Sequence, residues 1–134
     1  NKTSLPWPVH RGVVTGKFGR HAHPTIPGIT VESNGVDITT DPSSNVYSIF
    51  DGNVSSVFSL PGAGKTVIIT HGGYKTVYSN LQNLEVAKGE KVDRGHKIGE
   101  VMTLSQGTAI HFEIWKVAGD ERSPQNPNSW LQAK

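Results

Sequence analysis

Apolar and polar residues alternate in short runs along most of this chain, and Gly, Pro, Asn and Asp stand between the runs. Alternation over four to eight residues is typical of half-buried β-strands. We therefore predict strands over Gly12–Phe18, Ile29–Glu32, Val36–Thr39, Val46–Phe50, Asn53–Phe58, Thr66–Thr70, Lys75–Asn80, Glu85–Ala87, Lys97–Met102 and Ala109–Val117. A short helical turn is predicted only at Asn126–Leu131. Many short strands at this spacing indicate an all-β sandwich or barrel, and no segment resembles a linker, so residues 1–134 are predicted to form one domain.

The composition supports the prediction of sheets. Val, Ile and Thr together account for 34 of the 134 residues, whereas Leu and Ala account for only 12. β-Branched side chains fit a pleated surface, while Leu and Ala favour helices. The 15 Gly and 8 Pro residues supply the turns that many short strands require.

Charge and cysteine content exclude several classes of function. The 13 Lys and Arg residues against 11 Asp and Glu give a net charge of +2, and no dense basic tract occurs, so nucleic acid is not a predicted partner. No apolar run approaches the ~18 residues of a membrane span, so no direct membrane insertion is predicted. The absence of Cys excludes a disulfide framework, a thiol nucleophile and a Cys-based zinc site.

Side-chain alternation within the strands predicts one polar face. Asp37 points away from its apolar neighbours Val36 and Ile38, and His111 points away from Ile110 and Phe112. The same alternation, applied to the other strands, predicts that this polar face carries Ser33, Asp37, Tyr78, Asn80, Ala109 and His111.

Ordered blocks along the chain resemble a known family. These blocks are Trp7-Pro8-Val9, Thr15-Gly16-Lys17-Phe18-Gly19, His23-Pro24, Asn34-Gly35-Val36-Asp37-Ile38, Asp51-Gly52-Asn53-Val54, Tyr78-Ser79-Asn80-Leu81, Gly95-His96-Lys97-Ile98-Gly99 and Ile110-His111-Phe112-Glu113-Ile114. Together they resemble the lysostaphin/LytM family of zinc endopeptidases, which cleave peptide cross-links of bacterial peptidoglycan. The resemblance runs from about Trp7 to Leu131. It implies a two-sheet antiparallel β fold with a groove over one sheet.

The resemblance also implies a catalytic site that this chain lacks in part. The family takes zinc ligands from H-x-x-x-D and from the second His of H-x-H, and further histidines from that H-x-H and from a Tyr-x-His-Leu segment. Here Ser33, Asn80 and Ala109 stand at three of these five positions, and only Asp37 and His111 remain. Two protein ligands are one fewer than catalytic zinc sites use. We therefore expect Asp37 and His111 to be vestigial ligand positions, with no metal, no cofactor and no peptidase activity.

With these replacements the chain resembles the degenerate LytM domains of EnvC-like division factors, which activate cell-wall amidases without cutting peptidoglycan. The resemblance implies a fragment of a longer exported protein of the periplasm or cell envelope. Its partner would be an N-acetylmuramoyl-L-alanine amidase at daughter-cell separation, with peptidoglycan as a further ligand. The implied partner groove comprises Ser33, Asn34, Asp37, Tyr78, Asn80, Ala109 and His111, with His21 and His23 at its rim. We expect Tyr78 to be its aromatic anchor.

Two alternative functions and the roles of three further side chains remain open at the level of sequence. A domain that holds peptidoglycan stem peptides without cutting them fits the same degenerate site, and a surviving metallopeptidase is the third class of function. His21 or His23 could complete a weak metal site with Asp37 and His111. Glu113, on the same strand face as His111, either orients the His111 ring or is solvated.

Overall fold

The structure, a computed structural model, describes residues 5–132, and nearly all the regular secondary structure within them is β-strand. The strands are β1 Val13–Gly16, β2 Gly19–Ala22, β3 Thr30–Ser33, β4 Val36–Thr39, β5 Asn45–Tyr47, β6 Gly52–Ser59, β7 Lys65–Thr70, β8 Tyr74–Gln82, β9 Lys91–Val92, β10 Lys97–Val101, β11 Thr103–Leu104, β12 Gly107–Ala118 and β13 Glu121–Gln125. A 3₁₀ turn at Pro127–Ser129 follows, capped by the side chain of Asn126. The predicted all-β class is confirmed.

All the strand pairs are antiparallel, and most strands belong to one large sheet. Its main path runs β1-β4-β12-β8-β7-β6-β9, and β10 joins it by pairing with β8 and with β5. The hairpin of β2 and β3 forms a separate two-stranded sheet. The long strands β8 and β12 lie at the centre and pair over six positions, so that they form the floor on which the other elements are arranged.

Most of the predicted strands are present with shifted ends, but several short elements differ from the prediction. Val36–Thr39 is β4 with the predicted bounds. The segment 85–87, predicted as a strand, is irregular, and β2, β9, β11 and β13 were not predicted. The two-residue strands are too short for alternation to reveal, and β13 contains Pro124, which is typical of a sheet edge. The predicted helical turn shortens to Pro127–Ser129.

The core lies on one face of β4, β8 and β12. Val36, Ile38, Tyr78, Ile110 and Phe112 are all fully buried there. The rings of Tyr78 and Phe112 pack with their centroids 5.3 Å apart. Alternation then leaves the opposite face of the same strands for polar side chains.

A bulge in β8 changes which side chains reach each face. Tyr78 pairs with Val67 and Leu81 with Lys65, so two residues of β8, Ser79 and Asn80, stand opposite the single residue Thr66. Asn80 adopts a left-handed conformation with φ of 71°. An extra residue of this kind re-aims the side chains around it. Tyr78 and Leu81 consequently both face the core, although they are three residues apart.

No helix within residues 5–132 is long and apolar enough to span a membrane.

Candidate functional site

A groove lies over the polar face of β4, β12 and β8. Strand register places Asp37, His111 and Ser79 in one row across the sheet, because His111 pairs with Asp37 on one side and with Ser79 on the other. The groove has a volume of about 620 Å³. Its lining is Thr15, Asp37, Thr39, Leu60, Ala63, Ser79, Asn80, Leu104, Gln106, Gly107, Thr108, Ala109, His111 and Glu113.

The imidazole of His111 is held between two carboxylates. Its Nδ1 lies 2.8 Å from Oδ1 of Asp37, and its Nε2 lies 2.7 Å from Oε2 of Glu113. Carboxylates only accept hydrogen bonds, so both contacts are satisfied when both ring nitrogens carry protons. The indole Nε1 of Trp115 donates to the second oxygen of Glu113 at 2.7 Å. Asp37 and His111 therefore pair directly, and of the two alternatives for Glu113 the structure shows the contact with the His111 ring.

These contacts shift two pKa values in the directions that a paired imidazolium requires. The hydrogen bond to Asp37, and then that to Glu113, raise the pKa of His111 to about 9, although burial opposes the shift. Burial raises the pKa of Glu113, but the hydrogen bonds from His111 and Trp115 outweigh it, so the pKa lies below its usual value. His111 is therefore a cation at neutral pH.

Backbone packing fixes the two ends of this network. Gly16 lies directly against the Asp37 carboxylate, and a Cβ at that position would overlap Oδ2. Gly35, at the start of β4, is similarly close to the carbonyl of Phe112 and to the side chain of Glu113. Both positions therefore require glycine, because β1 and β4 approach their neighbours too closely for any side chain.

Ser33 does not take the place of a third ligand. Its hydroxyl donates to the carbonyl of Gly35 at 3.1 Å and accepts from the amide of the same residue at 3.2 Å. The side chain therefore closes its own tight turn between β3 and β4 and is not part of the groove lining. The expectation that the segment from Ser33 to Asp37 stays extended is wrong, because the backbone turns at Asn34-Gly35.

Asn80 lines the groove as expected, but its amide is engaged with the backbone. Nδ2 donates to the carbonyl of Ala109 at 2.7 Å and to that of Met102 at 3.1 Å. These bonds tie β8 to β12 and to the segment that leads into β11. Oδ1 is buried and has no hydrogen-bond partner within residues 5–132. Asn80 thus holds one wall of the groove in place.

Tyr78 is not in the groove. Its side chain is fully buried against Phe112, and its hydroxyl accepts from the backbone amide of Ile49 at 3.2 Å. The predicted aromatic anchor is therefore a core residue, and the expectation that alternation continues through Asn80 is wrong because of the bulge. Ser79 takes its place on the groove face, where its hydroxyl accepts from Thr66 at 3.1 Å.

The remaining predicted positions lie away from the Asp37–His111 pair. Nδ1 of His21 contacts the carbonyl of Gly19, and Nδ1 of His23 accepts from the amides of Thr25 and Ile26. Asn34 is exposed in the turn before β4. None of these three residues lines the groove, so the structure does not bring His21 or His23 to the pair as a further ligand. Ala109 does line it, two residues before His111 and on the same face of β12.

Sequence reasoning missed the apolar walls of the groove. Leu60 and Ala63 belong to the loop between β6 and β7, and Leu104 belongs to β11. Leu60 and Leu104 lie outside every predicted strand, and Leu60 is 43% exposed in the structure. An apolar residue in a predicted loop was the available signal, but only the fold shows which loops border the groove.

The donor set does not fit a catalytic zinc ion. Such a site needs three protein ligands and an open position, and here the hydroxyl of Ser33 is engaged in its own turn. Both ring nitrogens of His111 are occupied by carboxylates. Within residues 5–132, no three His, Asp or Glu side chains are grouped as a metal site. Nor do Ser79 and His111 form a nucleophile–base pair, because Nε2 contacts Glu113 instead.

This geometry defines the protein as an antiparallel β domain with a polar groove over its central strands. The sequence model of peptidase family M23 matches residues 31–127. The chain belongs to this family, which confirms the resemblance found in its motifs.

The comparisons with individual proteins agree with that assignment. The peptidoglycan DD-endopeptidase ShyB of Vibrio cholerae is 36% identical over 108 residues, which cover 78% of this chain and 25% of ShyB. A zinc-containing peptidase from Vibrio cholerae superposes with a TM-score of 0.77 at 31% identity, over 98% of this chain and 41% of that one. A chain in the crystal structure of the SpoIIIAH and SpoIIQ complex gives a TM-score of 0.76 at 25% identity, over 92% of this chain and 97% of that one. The chain spans about a quarter or less of the length of the curated relatives that it matches.

Proposed function

We propose that this domain is a non-catalytic regulator that binds and activates a peptidoglycan amidase through its groove. The amidase would be one that hydrolyses the bond between N-acetylmuramic acid and L-alanine, at the stage when daughter cells separate. The groove takes up a regulatory segment of the amidase, and this uncovers the active site of the amidase. The domain supplies binding energy and no chemistry of its own.

The state of His111 is the observation that carries this proposal. A general base or a metal ligand needs a ring nitrogen with a free lone pair, and here Asp37 and Glu113 face both nitrogens. The other positions of the family's machinery hold Ser33, Asn80 and Ala109, and neither Asn nor Ala can cycle a proton near neutral pH. What remains of the ancestral site is a shaped and charged groove, which suits recognition.

The comparisons support the setting of this proposal. The named relative ShyB acts on peptidoglycan, and SpoIIQ is described in complex with another protein. We accordingly propose that residues 1–134 form one domain of a longer exported protein in the periplasm or cell envelope. The apolar walls at Leu60, Ala63 and Leu104 favour a protein segment as the occupant, because buried apolar area drives most protein association.

The polar floor of the groove favours a second candidate function. Thr15, Thr39 and Ser79 offer hydroxyls along the floor, as a site for an extended peptide would. The alternative is therefore a domain that binds peptidoglycan stem peptides without cutting them. It predicts binding to purified cell wall in the absence of any amidase.

An amidase assay tests the proposal directly. Dye-labelled cell wall is incubated with each purified periplasmic amidase of the source organism, with and without the domain. We expect the domain alone to release no dye and to increase release by one amidase. Release by the domain alone would instead revive the peptidase, and cell-wall binding without any stimulation would favour the stem-peptide function.

Replacing each of two alanines on β12 by tryptophan tests whether the amidase binds in the groove. Ala109→Trp fills the groove and should abolish stimulation. Ala118→Trp places the same side chain at the exposed end of the same strand and should leave stimulation unchanged. Thermal melting of both variants checks that the fold survives. Equal stimulation by both variants would show that the amidase binds elsewhere.

A further inference from the structure

The charges that line the groove are unbalanced. Within residues 5–132 its ionisable lining residues are Asp37, Glu113 and His111, and no Lys or Arg is among them. With His111 protonated the lining carries a net charge of −1, and with His111 neutral it carries −2. The groove is therefore anionic in either state, although the whole chain has a net charge of +2.

Asp37 is the carboxylate that a partner can reach. Its side chain is 47% exposed, compared with 17% for Glu113. Both oxygens of Glu113 are occupied, by His111 and by Trp115. Asp37 contacts His111 through Oδ1 alone, and its Oδ2 lies against the backbone of Gly16 on one side and has no hydrogen-bond partner within residues 5–132. An incoming donor would therefore find its acceptor at Asp37.

Apolar side chains surround this acceptor. Leu60 and Ala63 line the groove from the β6–β7 loop, and Leu104 lines it from β11. Leu60 is 43% exposed and available for contact. A charge pair that forms among apolar walls is less screened by solvent than one on an open surface, so its contribution to affinity and specificity increases.

We propose that the groove recognises a protein segment in which one Arg or Lys stands between apolar side chains. The basic group pairs with Asp37, and the apolar side chains pack on Leu60, Ala63 and Leu104. Arg suits the site better than Lys, because its planar guanidinium donates along two directions at once. A segment with an acidic centre is rejected, since it would bring like charges together. This inference rests on the proposed function and specifies the part of the partner that binds.

Designed peptides test the charge requirement without knowledge of the partner. The probe is an 18-residue helical peptide with one central Arg and leucines three and four residues to either side. The matched peptide carries citrulline, which keeps the shape of Arg but not its charge. We expect NMR shift changes centred on Ser79, Ala109 and His111, and binding of the citrulline peptide weaker by about tenfold or more.

Variants of the domain complete the test. Asp37→Asn keeps an acceptor for His111 but removes the charge. The affinity of the Arg peptide should therefore fall to that of the citrulline peptide. Asp120→Asn, in the exposed β12–β13 turn, should change nothing. Equal affinities of the two peptides for the unsubstituted domain, absence of binding by both, or an unchanged preference in Asp37→Asn would each overturn the inference.

The amidase assay separates this inference from the proposed function. If Ala109→Trp abolishes stimulation while Asp37→Asn does not reduce it, the amidase binds in the groove through apolar contacts alone. The inference then fails and the proposed function stands. If no amidase is stimulated but the Arg peptide binds in the groove, the proposed function fails, and the inference that the groove recognises a basic residue stands.

Discussion

Two histidines on opposite faces of the central sheet show how partners, more than burial, set the charge of a ring. Both His111 and His71 are partly buried, and both nitrogens of each ring have hydrogen-bond partners. His111 lies between two carboxylates, which raise its pKa to about 9. His71 lies between the carbonyl of Asp51 and the hydroxyl of Thr76, and burial lowers its pKa.

The difference follows from what each set of partners can do. A carbonyl accepts, so Nδ1 of His71 donates to Asp51 at 2.8 Å, while Nε2 lies 2.7 Å from the Thr76 hydroxyl, a group that can either donate or accept. A hydroxyl can satisfy a neutral ring, whereas two carboxylates cannot. The groove face therefore holds a cation, and the core face holds a neutral ring in contact with the Thr76–Tyr78 hydroxyl pair.

Truncation of Tyr78, on the core face, should have the largest effect on stability. Tyr78→Ala removes a fully buried ring that packs on Phe112, and it leaves the Ile49 amide without its acceptor. We expect the free energy of unfolding to fall by about 3–5 kcal/mol. Urea denaturation measures the change.

Two controls distinguish the ring from its hydroxyl and from the groove. Tyr78→Phe keeps the packing and loses only the hydroxyl, so it should cost about 1–3 kcal/mol. Ser79→Ala, next in the chain but on the groove face, should cost less than either. A Tyr78→Ala domain as stable as Ser79→Ala would place Tyr78 outside the core.

The position of Tyr78 also shows how far the sequence could predict this fold. Alternation identified β4, β7, β8 and β12 and correctly turned Asp37 and His111 away from the core. It placed Tyr78 on the wrong face because a bulge is a property of two paired strands. Nothing within β8 alone reveals that Ser79 and Asn80 stand opposite a single residue of β7.

The candidate site was predictable where it depended on motifs and not where it depended on loops. The motif positions located the Asp37–His111 pair, whereas the spacing of His111 and Glu113 on one strand face left open whether Glu113 contacts the ring or is solvated. The hydrogen bonds of Ser33 within its own turn, and the leucines that border the groove, depend on how loops pack after the sheet has formed. Such long-range contacts leave no periodic signal.

The second prediction concerns the groove side, where the ion pairs should stabilise the fold over a defined pH range. The pKa of His111 is raised from about 6.5 in the unfolded chain. Its contribution is therefore fully present below pH 6.5 and is lost as the pH rises through about 9. We expect a contribution of about 1–3 kcal/mol, reduced by the exposure of Asp37.

The stability difference between the unsubstituted domain and His111→Gln isolates this effect. Urea denaturation at pH 6, 7.5 and 9.5 should show a difference that shrinks with rising pH, because other groups titrate equally in both proteins. A constant difference across this range would mean that the carboxylates do not hold a proton on the ring.

The third prediction concerns Asn80, which lies in the bulge of β8 and ties that strand to β12. Asn80→Ala removes the donors to the carbonyls of Ala109 and Met102, at an expected cost of about 1–2 kcal/mol. Asn83→Ala is the matched control, because Asn83 also has a positive φ, and its own amide bond, to Oε1 of Glu100 at 3.0 Å, is exposed. Both variants share the backbone strain of Ala in that region, so the excess cost in Asn80→Ala reports the amide bonds. Equal melting temperatures would assign no role to them.

The smallest effect should come from His71, and its sign should be opposite to that of His111. Because burial lowers the pKa of His71 in the folded state, the unfolded chain binds the extra proton more readily below about pH 6.5. Acidification through that range should therefore reduce the stability of the unsubstituted domain relative to His71→Gln, whereas His111 contributes its full stabilisation there. An NMR titration of the two ring C2 protons gives the direct comparison. His111 should titrate well above 6.5 and His71 below it, and a reversed order would contradict the view that partner charge separates the two rings.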